Sequence, residues 1–296
     1  MLVAGIDGGQ SSTTAVVADE RGTILAYGYA GAADELGERA GSTRLRDALE
    51  SALADAARAC GLAPQTRFAA IVAGVSGYEG RLVGEPPRMP TDRFVLVHDA
   101  PIAHAGALGG GDGVTVIAGT GSVAYATAGG RARRVGGLGY LFGDEGSAFW
   151  IARRAVSAAA RHDDCDGIAR LLSYFDVHAV REIVARFYAG AISRADLAAF
   201  APFVIAAARD GDSCACIAQP AVDAASALAE LAFDAALEPG APVRVSFVGG
   251  LVRDPWFGAQ LHARTTALFA ARGSEALLVE PQADPAVGAA ILARRG

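Results

Sequence analysis

One pattern occurs twice in this chain and limits what it can fold into. Leu2–Ile6 is a short apolar run that stops at Asp7; the turn Gly8-Gly9-Gln10-Ser11-Ser12 follows, and Thr13–Ala18 is β-rich again. Val114–Ala118 is a second such run, stopping at Gly119-Thr120-Gly121-Ser122 before Val123–Ala128 resumes. Each turn is dominated by Gly, Ser and Thr, so its backbone N–H groups and hydroxyls can all point at one anion. Strand, anion-suited turn and strand at the head of both halves mark an internal repeat. With 296 residues, two domains are the natural expectation, and the Gly109–Gly113 cluster is the candidate boundary.

The remaining segments fill in an α/β protein of two similar halves. Thr23–Tyr29 completes an antiparallel three-strand opening. Ser42 is placed to cap a helix whose face carries Leu45, Leu49, Ala52, Leu53, Ala56 and Ala57, ended by Gly61 and Pro64. Phe68–Val75 and Phe94–Val97 read as strands, and Pro101 suits the first turn of a helix reaching Leu108. Arg134–Gly146 reads as a glycine-rich loop and Glu145 to Ala160 as a helix. Residues 167–236 are alanine-rich and helical, with breaks near Gly190, Pro202, Gly211 and Pro220. Val243–Val248 is a strand, Trp256–Arg272 a helix, Ala276–Val279 a last strand, and a final helix has Asp284 as N-cap and Pro285 at its first position.

Composition excludes several classes of function. A net charge of −6 without a basic run disfavours nucleic acid and anionic membranes as partners. Four scattered cysteines make neither a disulfide framework nor a Cys-rich zinc site, which fits a reducing cytoplasm. No apolar run approaches the roughly 20 residues that span a bilayer. His98, His104, His162, His178 and His262 show no ligand spacing, and Ser11, Ser76 and Ser122 lack a nucleophile-elbow context. Gly119–Ala124 fits a dinucleotide fingerprint by letter, but the fingerprint needs a helix next, and here another strand and the turn Gly129-Gly130 follow.

The chemistry sits at strand ends. Asp7 and Asp99 close apolar strands; such an Asp ordinarily initiates a turn, and it can also stand near metal-bound phosphates or accept a hydroxyl proton during phosphoryl transfer. Asp144-Glu145 at a helix start are capping acids in the plain reading. Because Gly136-Gly137-Leu138-Gly139 lets the backbone approach a ligand, Asp144 is also a ligand candidate. Gly249-Gly250 is either a tight turn or a gap that admits a flat adenine ring.

Asp7-Gly-Gly-Gln-Ser-Ser-Thr13, Gly119-Thr-Gly-Ser122, Gly136-Gly-Leu-Gly-Tyr-Leu-Phe-Gly-Asp-Glu-Gly-Ser147 and Val248-Gly-Gly-Leu251 together resemble the N-acetylglucosamine kinase group of the BadF/BadG/BcrA/BcrD ATPase family, within the actin/hexokinase/Hsp70 superfamily. The similarity runs from the first strand to the last helix, and Asp284-Pro-Ala-Val-Gly-Ala-Ala290 resembles the family's ending, whose helix packs back on the first domain. The resemblance implies two ribonuclease-H-like (actin-like ATPase) domains flanking a cleft: residues 1–110 with the closing helix 284–296, and residues 111–283. It implies ATP and Mg²⁺ as cofactors. Gly9, Ser11 and Thr13 would form one phosphate loop, Thr120, Gly121 and Ser122 the other, with Asp7 near the metal through water and Gly249-Gly250 by adenosine. Asp99 would be the base that takes the sugar 6-hydroxyl proton, with Asp34, Ser76, Thr120, Gly136, Gly137 and Asp144 around the sugar.

Three positions depart from the family pattern. Gln10 and Ser11 replace a glycine and a threonine of the first loop, His98 stands where Asn often precedes the base, and Asp34 stands where an Asn contacts the sugar. The extra charge at Asp34 suits a free ammonium better than an acetamide, so glucosamine or another hexose competes with N-acetylglucosamine as acceptor. A dehydratase-activating ATPase and a non-catalytic nucleotide-binding regulator are the other readings; the first needs cluster cysteines in a strand-to-helix loop, and none of the four lies in one. A cytoplasmic homodimer acting on a small sugar, without nucleic acid or membrane, is the expected setting.

Overall fold

The computed structural model describes residues 1–33, 39–161, 166–211, 215–238 and 240–295. They form two compact units, Met1–Thr115 with the chain from Glu280 onward, and Val116–Val279. The division falls inside a strand, just beyond the Gly109–Gly113 cluster.

The first unit is a five-stranded mixed sheet. β1 (Leu2–Gly8), β2 (Thr13–Asp19) and β3 (Ile24–Ala30) are an antiparallel meander; β4 (Ala70–Val75) and β5 (Phe94–His98) extend the sheet on the other side, giving the order β3-β2-β1-β4-β5. β4 runs parallel to β1 and β5 parallel to β4, with Gly8 level with Val75 and Val75 level with His98. Three carboxyl-terminal strand ends therefore meet at one sheet edge. In open α/β sheets this is the side on which ligands bind.

Helices cover both faces of this sheet. α1 (Arg44–Ala59) buries Leu45, Leu49, Ala52, Leu53 and Ala56 against Ile6, Val17, Ile71 and Val75, at the spacing its sequence pattern required. On the other face α10 (Pro285–Arg295) packs Ala286, Ala289, Ala290 and Ala293 on Val3, Val16, Val72 and Ile102. Its side chains are so small that backbones touch: a Cβ at Gly5 would lie 2.2 Å from Ala286 O, and one at Gly288 would lie 1.9 Å from Ile102 O in α2 (Asp99–Ala107). Asp284 caps α10 by accepting the Val287 N–H at 2.8 Å.

The second unit repeats the first. Its sheet has the order β10-β9-β6-β7-β8, built from β6 (Gly113–Ala118), β7 (Ser122–Ala128), β8 (Arg131–Gly136), β9 (Pro242–Val248) and β10 (Glu275–Leu278). Read from β8 this is the strand order of the first unit, so the repeat seen in the turns extends to the topology of both sheets. β7 and β8 are joined through Gly129 and Gly130, both at positive φ (55° and 79°), as a two-residue hairpin turn demands. The helices are α3 (Ala148–Ala159), α4 (Asp166–Tyr174), α5 (Val180–Tyr188), α6 (Arg194–Ala198), α7 (Ala201–Arg209), α8 (Ala215–Ala235) and α9 (Pro255–Ala271).

Several boundaries differ from the sequence expectation. α1 begins after Thr43, not Ser42, and β4 begins at Ala70 rather than Phe68. α2 begins at Asp99, two residues ahead of Pro101, with His98 at its N-cap and His98 Nδ1 3.1 Å from the Ala100 N. Arg134–Gly136 is strand β8 rather than loop, since it pairs with Val123–Tyr125. α3 begins at Ala148 with Ser147 as cap, so Asp144 and Glu145 precede the helix and do not cap it. Pro220 lies inside α8, whose packing against α3, α7 and α9 outweighs the missing hydrogen bond. No helix among the described residues is long and apolar enough to cross a membrane.

Candidate active site

Each unit holds its own group of candidate site residues. In the first, the level ends of β1, β4 and β5 bring together Asp7, Ser76 and Asp99. Ser76 N–H donates to Gly8 O at 3.0 Å, which fixes the end of β4 against β1. The Ser76 hydroxyl donates to Asp99 Oδ2 at 2.5 Å, and His98 Nδ1 lies 2.7 Å from Asp99 Oδ1. Asp99 is also the first residue of α2, where the helix dipole favours a negative charge. Burial alone raises the Asp99 carboxyl; His98, Ser76 and the Ala100 N–H outweigh it and hold the group below the usual carboxylate range. The side chain is thus ionised, oriented and still partly open to solvent.

Asp7 is the opposite case. Burial, with added repulsion from Asp99 and Asp284, pushes its carboxyl up to about 7. This crowding of negative charge suits a divalent cation. Among the described residues no cluster of three or more His, Cys, Asp or Glu side chains forms a metal cage. Mg²⁺ fits that condition, since it is ordinarily held by one or two carboxylates together with waters and phosphates.

The turn after β1 differs in detail from its expected use. Gly9 N–H closes the turn on Ser12 O at 3.0 Å. Thr13 is fully buried and its hydroxyl donates to Gly31 O at 2.7 Å, so it braces the turn from beneath. Ser11 is exposed, and so are Gln10 and Ser12. Ser12 was not singled out as a site residue by the sequence, although its place in the same glycine-led turn is the signal that marks it. Asp34 lies outside the described residues.

In the second unit the loop Gly119–Ser122 is clamped from three sides. Ala148 N–H and Phe149 N–H, at the start of α3, donate to Gly119 O (2.9 Å) and Thr120 O (3.4 Å); Gly137 N–H donates to Ser122 O at 3.1 Å. Ser122 is buried, with its N–H on Asp144 Oδ1 (3.1 Å) and its hydroxyl on Glu145 O (2.7 Å). Both Ser122 donors are therefore engaged within the protein. The backbone N–H groups of Thr120 and Gly121 carry no hydrogen bond among the described residues and are the donors this loop can offer.

Asp144 has positive φ (62°), uncommon for a residue with a side chain, and is 3% exposed. Its second oxygen meets Arg194 Nη2 at 2.5 Å. The Arg194 guanidinium lies over the rings of Tyr140 and Phe149, and α6 is anchored by a Ser193–Asp196 capping box. Burial raises the Asp144 carboxyl, and the Ser122 N–H and Arg194 offset only part of this. The guanidinium offers only donors, and both Asp144 oxygens act as acceptors, one from Arg194 and one from the Ser122 N–H. A Cβ at Gly121 would lie 2.7 Å from Arg194 Nη2 and 2.8 Å from Asp144 Oδ1, so the loop packs directly on this pair. Arg194 was not legible as a site residue; it lies 50 positions from Asp144 in an alanine-rich helical stretch.

The remaining glycines shape the surroundings. Gly136 and Gly137 (φ 75° and 68°) turn the chain out of β8 beside Ser122. Gly249 (φ 118°) follows β9 and abuts the end of β6: a Cβ there would sit 2.2 Å from Ala118 O. Around Gly250 there is open space, and beyond it a short 3₁₀ turn and the Asp254 cap lead into α9.

Two outcomes follow from these charges. Asp7 has its folded pKa raised, so its contribution to stability is complete below about pH 4 and is lost as pH rises through about 7. Between about pH 5.5 and about pH 8.5 the melting temperature should fall by several degrees, and Asp7→Asn should flatten that slope. Equal slopes for the two proteins would contradict the placement of Asp7. Arg194→Met leaves Asp144 buried without its cation and should cost about 2–3 kcal/mol in urea unfolding, below the fully buried case because Arg194 retains 25% exposure. Adding Asp144→Asn should recover most of that loss; additive losses would argue against the pair.

The whole of this architecture matches known proteins. The model of the BadF/BadG/BcrA/BcrD ATPase family aligns with residues 4–293. A stretch of 126 residues is 31% identical to an N-acetylmuramic acid/N-acetylglucosamine kinase of Clostridium acetobutylicum; it covers 40% of this chain and about two fifths (41%) of that relative. A solved structure from Chromobacterium violaceum, provisionally assigned as an N-acetylglucosamine kinase, is 28% identical with a TM-score of 0.76, covering 99% of this chain and 98% of that one. A Porphyromonas gingivalis structure with the same provisional assignment shares the fold at 18% identity and a TM-score of 0.68, covering 100% and 99% of the two chains. With a family match that takes in both sheets, both glycine-led turns and the closing helix, the chain belongs to the BadF/BadG/BcrA/BcrD ATPase family.

Proposed function

We propose that this protein is an ATP-dependent sugar kinase that phosphorylates the 6-hydroxyl of an amino sugar, with N-acetylglucosamine as acceptor. The observation that carries this reading is the Asp99 carboxylate, ionised at the head of α2 and held by Ser76 and His98, in a chain that matches an ATPase family along nearly its whole length. The kinase names borne by the relatives from C. acetobutylicum and C. violaceum support it.

In phosphoryl transfer the protein does little covalent chemistry; positioning and charge stabilisation supply the acceleration. Asp99 accepts the proton of the attacking sugar hydroxyl, so the oxygen reaches phosphorus as a better nucleophile. The exposed turn Gln10-Ser11-Ser12 and the Thr120 and Gly121 N–H groups donate to phosphate oxygens, and Gly249-Gly250 leaves room for the adenine ring. Asp7 would hold Mg²⁺, which when bound would supply charge neutralisation at the phosphates. Asp144 and Arg194 fix the second phosphate loop, with Asp144, Gly136 and Gly137 lining the side on which sugar hydroxyls bind.

The test is ADP release across a panel of hexoses and amino sugars, with Asp99→Asn measured alongside. An amino sugar should stimulate release, N-acetylglucosamine above glucosamine, and Asp99→Asn should lose at least about two orders of magnitude in kcat. Near-native turnover by that variant would remove Asp99 from the mechanism. Sugar-independent ADP release would favour the activating-ATPase reading instead.

A further inference from the structure

We infer that His98 positions the Asp99 carboxylate, by donating from Nδ1 to Asp99 Oδ1. The inference rests on Asp99 being the base. Its starting point is a conflict over one nitrogen. His98 Nδ1 lies 2.7 Å from Asp99 Oδ1 and 3.1 Å from the Ala100 backbone N. Nδ1 has a single in-plane position, which holds either a lone pair or a hydrogen. With a lone pair it serves Ala100 as a helix cap, but then two lone pairs face each other at 2.7 Å and Asp99 Oδ1, which is buried, has no partner at all. An orphaned charged acceptor is the costlier outcome.

With a hydrogen on Nδ1 the conflict resolves. Oδ1 gains a charge-assisted bond, and the Ala100 N–H turns to the same carboxylate, one of the groups that lower its pKa. An ionised Asp99 thus selects the Nδ1–H form of His98. Oδ2 is held by Ser76 and Oδ1 by His98, so the plane of the carboxylate is set and one lone pair is left for the acceptor hydroxyl.

The other groups facing this pair are consistent with that arrangement. From the loop after β4, Glu79 Oε1 lies 3.9 Å from His98 Nε2. From β1 comes Asp7, whose own carboxyl is pushed up in part by the Asp99 charge. From α2 come Asp99 itself and Ala100. His98 has 19% of its side chain exposed, and its Nδ1 is the ring nitrogen beside Asp99.

The experiment uses the full chain with ATP, Mg²⁺ and the sugar that stimulates ADP release most. His98→Ala removes the donor; His98→Asn restores one through its amide and is a good helix cap. For His98→Ala we expect kcat to fall about tenfold, the ATP KM to stay within about twofold, and the acid limb of kcat/KM to move to higher pH, because Asp99 loses a group that lowers its pKa. His98→Asn should recover most of the rate and of the limb's position. A His98→Ala enzyme that melts earlier but keeps the wild-type acid limb would show a capping role alone and overturn the inference. Asp99→Asn in the same series separates the two ideas. If it is active, the base assignment fails; if it is inactive and His98→Ala behaves as wild type, only the role of His98 fails.

Discussion

Negative charge gathered at one edge of a sheet is the constraint on which the rest of the first unit depends. The parallel registers of β1, β4 and β5 leave no choice about where Asp7, Ser76 and Asp99 end up. Two carboxylates that repel each other then need different solutions. Asp99 has a helix N-terminus, a hydroxyl and an imidazole, and stays ionised. Asp7 has only burial and like charges, and is driven toward protonation. Two carboxyl groups in one neighbourhood thus carry opposite pKa shifts, a pattern that clusters at functional sites.

The second unit meets a different demand with the same topology. Its loop after β6 offers backbone N–H groups, and loops hold shape poorly unless they are tied. Here the ties run to the start of α3, to Gly137, and to Asp144, which is itself locked by Arg194. Asp144 accepts an unfavourable backbone angle in return for bonds to both Ser122 and Arg194. A glycine at 121 is forced by the same pair, since any side chain would enter the space of the guanidinium and the carboxylate.

Most of the fold was legible because the informative signals were local. Strand runs, glycine-led turns and the Asp284-Pro285 helix start each declare themselves within a few residues, and the matching strand orders of the two sheets were foreshadowed by matching turns. What escaped was set by contacts distant in sequence or by unusual chemistry. α2 starts early, with a histidine at its N-cap position, a residue type outside the usual capping set. Pro220 sits in a helix because three neighbouring helices hold it there. Thr13 and Ser122 looked like phosphate donors by type, yet burial turns both inward. Arg194 carries no local motif at all; only the fold brings it to Asp144.

The central claim is that Asp99 directs a phosphoryl group onto one particular hydroxyl. The most direct measurement is phosphorus–carbon coupling in the product formed from ¹³C-labelled N-acetylglucosamine, ATP and Mg²⁺. A base at Asp99 gives a single phosphomonoester coupled to C6, formed at least about a hundredfold more slowly by Asp99→Asn. A phosphate attached at C1, or the same C6 product from the variant at an undiminished rate, would contradict it.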